Sequence, residues 1–432
     1  MSAPSRTTSP SSPVSPFSSA NPHALASILE AAETRRIIAT RDIFDLSGIK
    51  LWARDQPVSA ALQRKLLDRQ LRNPLETCLM AADGVTTRTL LDTLSSLLAG
   101  TSALAEALAP DAPRLLHEVA FVPLHPVVQL LLTAGQAARP ESFDHAVQAM
   151  ALAGALMIRR NAGLADVRLA MLGGLVHDLG ELYIDPSCGE ADAERTLDLA
   201  SYQQLVVHPH VGRLLLAQLT NYPAVVARAV DEHHERLDGS GYPARLTGPD
   251  CSELGRLLAV VEVTVGILRG GRSPLTRASF ALRVVPGEFD PQWASFVCNL
   301  ARAAEEAVPD DMLAPAGLQN SPLTLIEQRI ERARQVLTTL QGQGRSGPIL
   351  QIVETALARL GRLQVAWNAL GFWGAQAREL SAAEQFELAL ANRELQQRLS
   401  QLQRECLLLS ERLGELEKTW IEPLWRGALP QR

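Results

Sequence analysis

Asp231-Glu232-His233-His234-Glu235-Arg236-Leu237-Asp238-Gly239-Ser240-Gly241-Tyr242-Pro243 is the stretch on which the reading of this 432-residue chain turns. An adjacent histidine pair runs into a turn whose glycines permit unusual backbone angles. Upstream, the apolar run Leu169 to Val176 ends on His177-Asp178, and His208-Pro209 stands at a helix-start spacing. Glu141 and His145 lie one helical turn apart on one face. Five of the nine histidines fall in this ordered set. One His-Asp pair, or one solvated His pair, arises easily by chance; all these features in this order do not. Imidazole and carboxylate donors mixed in this way suit iron or manganese. A phosphate ester is the natural partner of two or three such ions.

The bulk properties bound the rest. About half the residues are apolar and the chain is long enough for two or three domains. A net charge of -6 argues against a broad nucleic-acid surface, so no extended nucleic acid is expected as a partner. Cys78, Cys188, Cys251, Cys298 and Cys406 have neither metal-knuckle nor disulfide spacing, which points to a reducing compartment. No apolar run approaches about 20 residues, so no membrane span is expected. With no charged stretch followed by an apolar one at the N-terminus, the expected location is cytoplasmic.

Residues 1–22, rich in Ser, Pro and Thr, read as a disordered tail. Residues 23–138 are Leu- and Ala-rich with helical periodicity, plus short strands near Asp42 to Trp52. His117 and His125 read as structural or surface histidines. Residues 139–308 hold the site, 309–322 form a linker, and 323–375 are helical again. In residues 376–420, Leu388, Leu395, Leu402, Leu409 and Leu416 recur at one heptad position. Asn392, Leu399, Cys406 and Leu413 recur at the other. That seam, with one Asn at an a position, predicts a parallel two-stranded coiled coil and a homodimer. The competing reading is a long amphipathic helix packed on its own domain.

The motifs resemble the HD-GYP family, over roughly Glu141 to Phe296. Arg256 to Val263 resembles the family helix that carries a further acidic ligand, and Phe289-Asp290-Pro291 the stretch that closes the domain. The resemblance implies an all-α fold: an HD-domain helical bundle, here with a mostly helical N-terminal region and a C-terminal coiled-coil helix. It implies His145, His177, Asp178, His208, His233, His234 and Glu262 as metal ligands, with Glu141 matching the residue that admits a third ion in some members. The implied activity is metal-dependent hydrolysis of cyclic di-GMP at two or three divalent ions, His177 and Asp178 being the catalytic pair. Glu181, Asp238, Gly241, Tyr242 and Pro243 are the expected substrate-facing residues.

The chain departs from the family pattern at three points. Glu181 stands where the family has Lys, Val265 where it has a second Asp, and Glu262 where the ligand is usually Asp. A carboxylate at 181 facing a phosphodiester at about 4 Å would repel it by about 4 kcal/mol at an effective dielectric of about 20. These departures support an alternative function, a catalytically weak module that binds metal and cyclic dinucleotide as a sensor or interaction protein.

Overall fold

The computed structural model describes residues 16–189, 199–270, 273–304, 322–343, 347–371 and 381–422. In chain order the first helices are α1 (Pro22–Thr34), α2 (Ala60–Leu66), α3 (Thr87–Leu98), α4 (Ala103–Leu108), α5 (Ala112–Val119) and α6 (Pro126–Ala138). Next come α7 (Pro140–Arg159), α8 (Leu164–Val176), α9 (Leu199–Leu205), α10 (His208–Leu219), α11 (Ala224–Glu232) and α12 (Glu253–Leu268). The last are α13 (Pro274–Ala281), α14 (Pro291–Ala304), α15 (Pro322–Gly342), α16 (Pro348–Ala369), α17 (Ala382–Ser410) and α18 (Glu415–Ile421). The chain is predominantly helical, as expected.

Two compact units emerge. The first comprises residues 1–86 and 124–140, the second 87–123 and 141–432. In the first, Asn21 caps α1 by accepting from the His23 and Ala24 amides, and Pro22 supplies a preset first helical residue. Strands β1 (Ile37–Ala39) and β4 (Leu79–Ala81) pair antiparallel, with Ile37 opposite Ala81. Strands β2 (Ile43–Phe44) and β3 (Lys50–Trp52) form a second ribbon at the expected place. Alternation puts Ile37, Ala39, Leu79 and Ala81 inward, against Leu25, Ile28 and Ala31 of α1 and Leu130 and Ala134 of α6. His125 has a structural role: its Nδ1 accepts from the Val127 amide and caps α6. Residues 1–15 of the expected tail lie outside the described residues. Its last residues are ordered, since Phe17 is buried and the Leu71 amide donates to the Ser18 carbonyl.

In the second unit α7 and α8 are apolar nearly all round, because each is surrounded by other helices. Pro322 already begins α15, and residues 309–321 of the expected linker lie outside the described residues. Beyond it α15, α16 and α17 build a core of their own, with Ile326, Ile352, Leu360, Leu395 and Leu399 packed onto Phe280 and Val284 at the end of α13.

That core takes up the residues of the expected coiled-coil seam, as the competing reading of an amphipathic helix packed on its own domain describes. Leu388, Leu395, Leu399, Leu402, Cys406 and Leu413 are all buried within the chain itself. The helix also stops at Ser410, so Leu416 falls on α18 and is 79% exposed. The apolar stripe packs within the chain against α13, α15 and α16. The heptad spacing and the spacing of an amphipathic helix in a bundle are nearly the same, and the neighbours decide between them.

Candidate metal centre

Five elements of the second unit bring their ends or faces to one point. α7 presents His145, and α8 ends on His177 with Asp178 directly after it. His208 is the first residue of α10, His233 caps the end of α11 with His234 next, and α12 presents Glu262. A glycine makes this convergence possible. A Cβ on Gly180 would sit 2.0 Å from the His208 carbonyl oxygen, so only glycine lets the start of α10 approach the turn after Asp178.

The result is two groups of donor atoms, His145, His177, Asp178 and Glu262 in one, Asp178, His208, His233 and His234 in the other. Asp178 belongs to both. Its Oδ2 faces His177 Nε2 at 3.2 Å and His145 Nε2 at 3.4 Å. Its Oδ1 faces His233 Nε2 at 3.3 Å and His208 Nε2 at 3.5 Å. Glu262 Oε2 reaches His145 Nε2 and His177 Nε2, each at 2.9 Å, so its extra methylene does not keep it from the group.

The second contacts of the histidines determine which nitrogen is available. His177 Nδ1 lies 2.8 Å from the Gly174 carbonyl, His208 Nδ1 2.7 Å from that of Leu205, and His233 Nδ1 2.6 Å from that of Val230. A carbonyl only accepts, so each Nδ1 carries the proton, and in the neutral form each of these rings turns an Nε2 lone pair inward. Yet His208 and His233 bring those Nε2 atoms within 3.2 Å of each other. Facing lone pairs at that distance repel unless a cation lies beside them. The donor set therefore fits divalent metal, with backbone carbonyls orienting the rings.

The electrostatics differ between the halves. At His145 and His177 burial opposes the charged ring, but Glu262 and Asp178 overcome it and hold both above the usual histidine range. Burial likewise opposes the charged forms of Asp178 and Glu262, and the facing imidazoles hold both carboxyls well below the ordinary range. In the other half burial dominates. It pulls His233 down to about 4 and His234 well below the usual value. The carboxylate-rich half thus attracts a cation, and the histidine-rich half offers neutral lone pairs.

Two expected residues stand apart. Glu141 is exposed and belongs to neither group, because the face it shares with His145 is left behind where α7 begins. Glu181 is buried but also outside both groups; its carboxylate packs against Gly189. The glycine-rich loop lies at the edge of the second group. Tyr242 stacks on His234, and Gly241 has no room for a side chain, since a Cβ would meet the His234 carbonyl at 2.4 Å. The Tyr242-Pro243 bond is cis. Asp238 is taken up by its own loop and by α16: it accepts from the Ser240 amide at 2.9 Å and pairs with Arg362 at 2.8 Å.

Residues 133–280 match the HD domain family model. The chain is 32% identical over 175 residues to the cyclic di-GMP phosphodiesterase PA4108 of Pseudomonas aeruginosa, covering 39% of this chain and 41% of that one. The matched segment is an HD domain. Two further relatives are similar to this chain. One is to the cyclic di-GMP phosphodiesterase response regulator RpfG of Xanthomonas campestris, 31% identical over 26% of this chain and 30% of that one. The other is to the 3'3'-cGAMP-specific phosphodiesterase 3 of Vibrio cholerae, 28% identical over 25% and 23%. The chain spans less than half the length of these curated relatives.

Within the HD domain, some residues that shape the site were not legible beforehand. Glu235 is buried and accepts from the Ala244 and Leu246 amides at 2.6 and 2.9 Å, closing the glycine-rich loop on itself. Glu232 accepts from the Ser252 amide at 2.8 Å and so ties α11 to the start of α12. Glu235 had a signal, its place directly after the histidine pair. Glu232 had none beyond being an acid at a helix end.

Proposed function

We propose that this chain is a metal-dependent phosphodiesterase that hydrolyses cyclic di-GMP at a centre of two divalent ions, iron or manganese. The observation that carries the reading is the divided reach of Asp178, one oxygen toward each group of histidines. His145, His177 and Glu262 would hold one ion, His208, His233 and His234 the other, with Asp178 common to both. When bound, the ions supply Lewis-acid activation of the phosphodiester and of water.

The protein's own groups do the positioning. The Gly174, Leu205 and Val230 carbonyls lock three rings in the tautomer that leaves Nε2 free. Tyr242, flat on His234, narrows the edge of the site and offers a ring face and a hydroxyl toward a base or ribose. Glu181 packs against Gly189 and is a member of neither donor group. Three relatives are named for cyclic di-GMP and three for 3'3'-cGAMP; the greatest identity among them, 32% to PA4108, favours cyclic di-GMP, with the mixed dinucleotide its natural competitor. Five free thiols support a cytoplasmic, reducing location. Among the described residues no helix is long and apolar enough to cross a membrane.

The test is metal analysis of the purified chain together with turnover of cyclic di-GMP and 3'3'-cGAMP. Two ions per chain and faster hydrolysis of cyclic di-GMP are expected. A metal-loaded protein that hydrolyses neither would refute the reading.

A further inference from the structure

Residues 238–245, which carry Tyr242, are held from outside the HD domain. Arg359 on α16 donates from Nη2 to the Gly239 carbonyl at 2.6 Å. Arg362, one turn on, donates from Nη1 to the Asp238 carbonyl at 2.7 Å and pairs with the Asp238 carboxylate at 2.8 Å. Gln401 on α17 donates to the Ser240 carbonyl at 3.3 Å. Glu405 on α17 pairs with Arg245 at 2.8 Å, and with Arg359 as well. Leu237, just before the loop, donates its amide to the Glu288 carbonyl, and Arg398 on α17 pairs with the Glu288 carboxylate at 3.2 Å.

We infer that α16 and α17 form one wall of the active site, with Arg359 and Arg362 as positioning residues that set the glycine-rich loop and, through it, Tyr242 against His234. The path is short and made of direct contacts. The arginines fix the carbonyls of residues 238 and 239, Gly241 is pressed against the backbone of residues 234–236, and the ring of Tyr242 lies on His234. Such a loop has few apolar contacts of its own and would otherwise open locally. Charged donors on backbone carbonyls are among the stronger hydrogen bonds. These arginines are not a ligand site. The cavity they line with Asp238, Ser240, Arg398 and Gln401 measures about 30 Å³, room for a water and little more, and their charges are met by Asp238 and Glu405.

The test compares the full chain with Arg362→Ala and Arg362→Lys, chosen because Arg362 is partly exposed and its loss leaves the α16 core intact. Trypsin reports on the loop directly, since Arg245 lies within it, and Arg302 on α14 is an exposed reference site. In Arg362→Ala, cleavage after Arg245 should rise by about ten-fold, cleavage after Arg302 should stay within about two-fold, and Arg362→Lys should recover most of the protection. The kinetic arm rests on the phosphodiesterase reading: KM for cyclic di-GMP should rise about ten-fold, with kcat within about three-fold and metal content unchanged. Equal acceleration at Arg245 and Arg302 would make Arg362 a general stabilising residue and overturn the inference. Unchanged cleavage at both would overturn it too. Wild-type protein without turnover refutes the phosphodiesterase reading alone and leaves the proteolytic result to decide this one.

Discussion

The ring of Tyr242 lies flat on the imidazole of His234, centroids 4.6 Å apart and planes 15° from parallel. A loop residue is thereby joined to the clustered histidines by a stacked pair, worth about 0.5–1.5 kcal/mol beyond its buried area. Tyr242→Phe keeps the stack and should keep metal content and most turnover. Tyr242→Ala loses it and should raise KM more than it lowers kcat. Steady-state kinetics beside metal analysis separates the two, and equal loss in both variants would assign the role to the hydroxyl.

Asp178 is the residue on which both groups depend. Asp178→Asn keeps the volume but removes the negative charge that both halves share. It should lose most of the bound metal, whereas Glu141→Gln, on an exposed residue outside both groups, should lose none. Metal stripping should lower Tm in the wild type. Returning manganese at about 100 times its Kd should restore about 2.7 kcal/mol. A Tm indifferent to chelator would contradict a centre built from these buried donors.

Restoring the family pattern at two positions should harm the protein. Val265 is fully buried on α12, so Val265→Asp places a carboxylate in an apolar core, at a cost of several kcal/mol. Glu181→Lys changes a buried group that faces Gly189, and should lower the denaturation midpoint without raising turnover. Chemical denaturation and turnover assays of each variant check this. A gain in activity from the pair would mean that position 181 does face the phosphodiester.

The Leu stripe of α17 gives a different expectation from a dimer seam. Leu395 is fully buried within the chain, and Leu395→Ala should cost about 2–5 kcal/mol. The loss should be independent of protein concentration, because no subunit dissociates. Denaturation at two concentrations and light scattering would reveal a dimer seam if the loss grew on dilution.

Burial pushes the Cys406 thiol up to about 11, and that of Cys251 to about 11 as well. In the unfolded chain a thiol deprotonates near 9, so there the unfolded state gains as pH rises and the folded state does not follow until about 11. Stability should therefore fall between about pH 9 and 11. Cys406→Ser should flatten that fall in pH-dependent denaturation, and iodoacetamide at pH 8 should leave Cys406 unmodified in the native protein.

What the sequence alone determined is the chemistry at the centre. Histidines and acids at those spacings, each at a helix end or on an inward face, name their own role, because few other reasons bring imidazoles to buried helix termini. His145, His177, Asp178, His208, His233, His234 and Glu262 do come together. What only the tertiary structure decided is what lies around them. The α7 face that carries His145 turns Glu141 outward, since a shared helical face says nothing about where the neighbouring helix stops. The heptad of α17 is covered within the chain, because a Leu stripe buries against whichever apolar surface is nearest, and here that surface is its own α13, α15 and α16. No motif in the sequence singles out Arg359 and Arg362. They become loop anchors only because folding brings residues about 120 positions away within hydrogen-bonding distance, a proximity that no local pattern encodes.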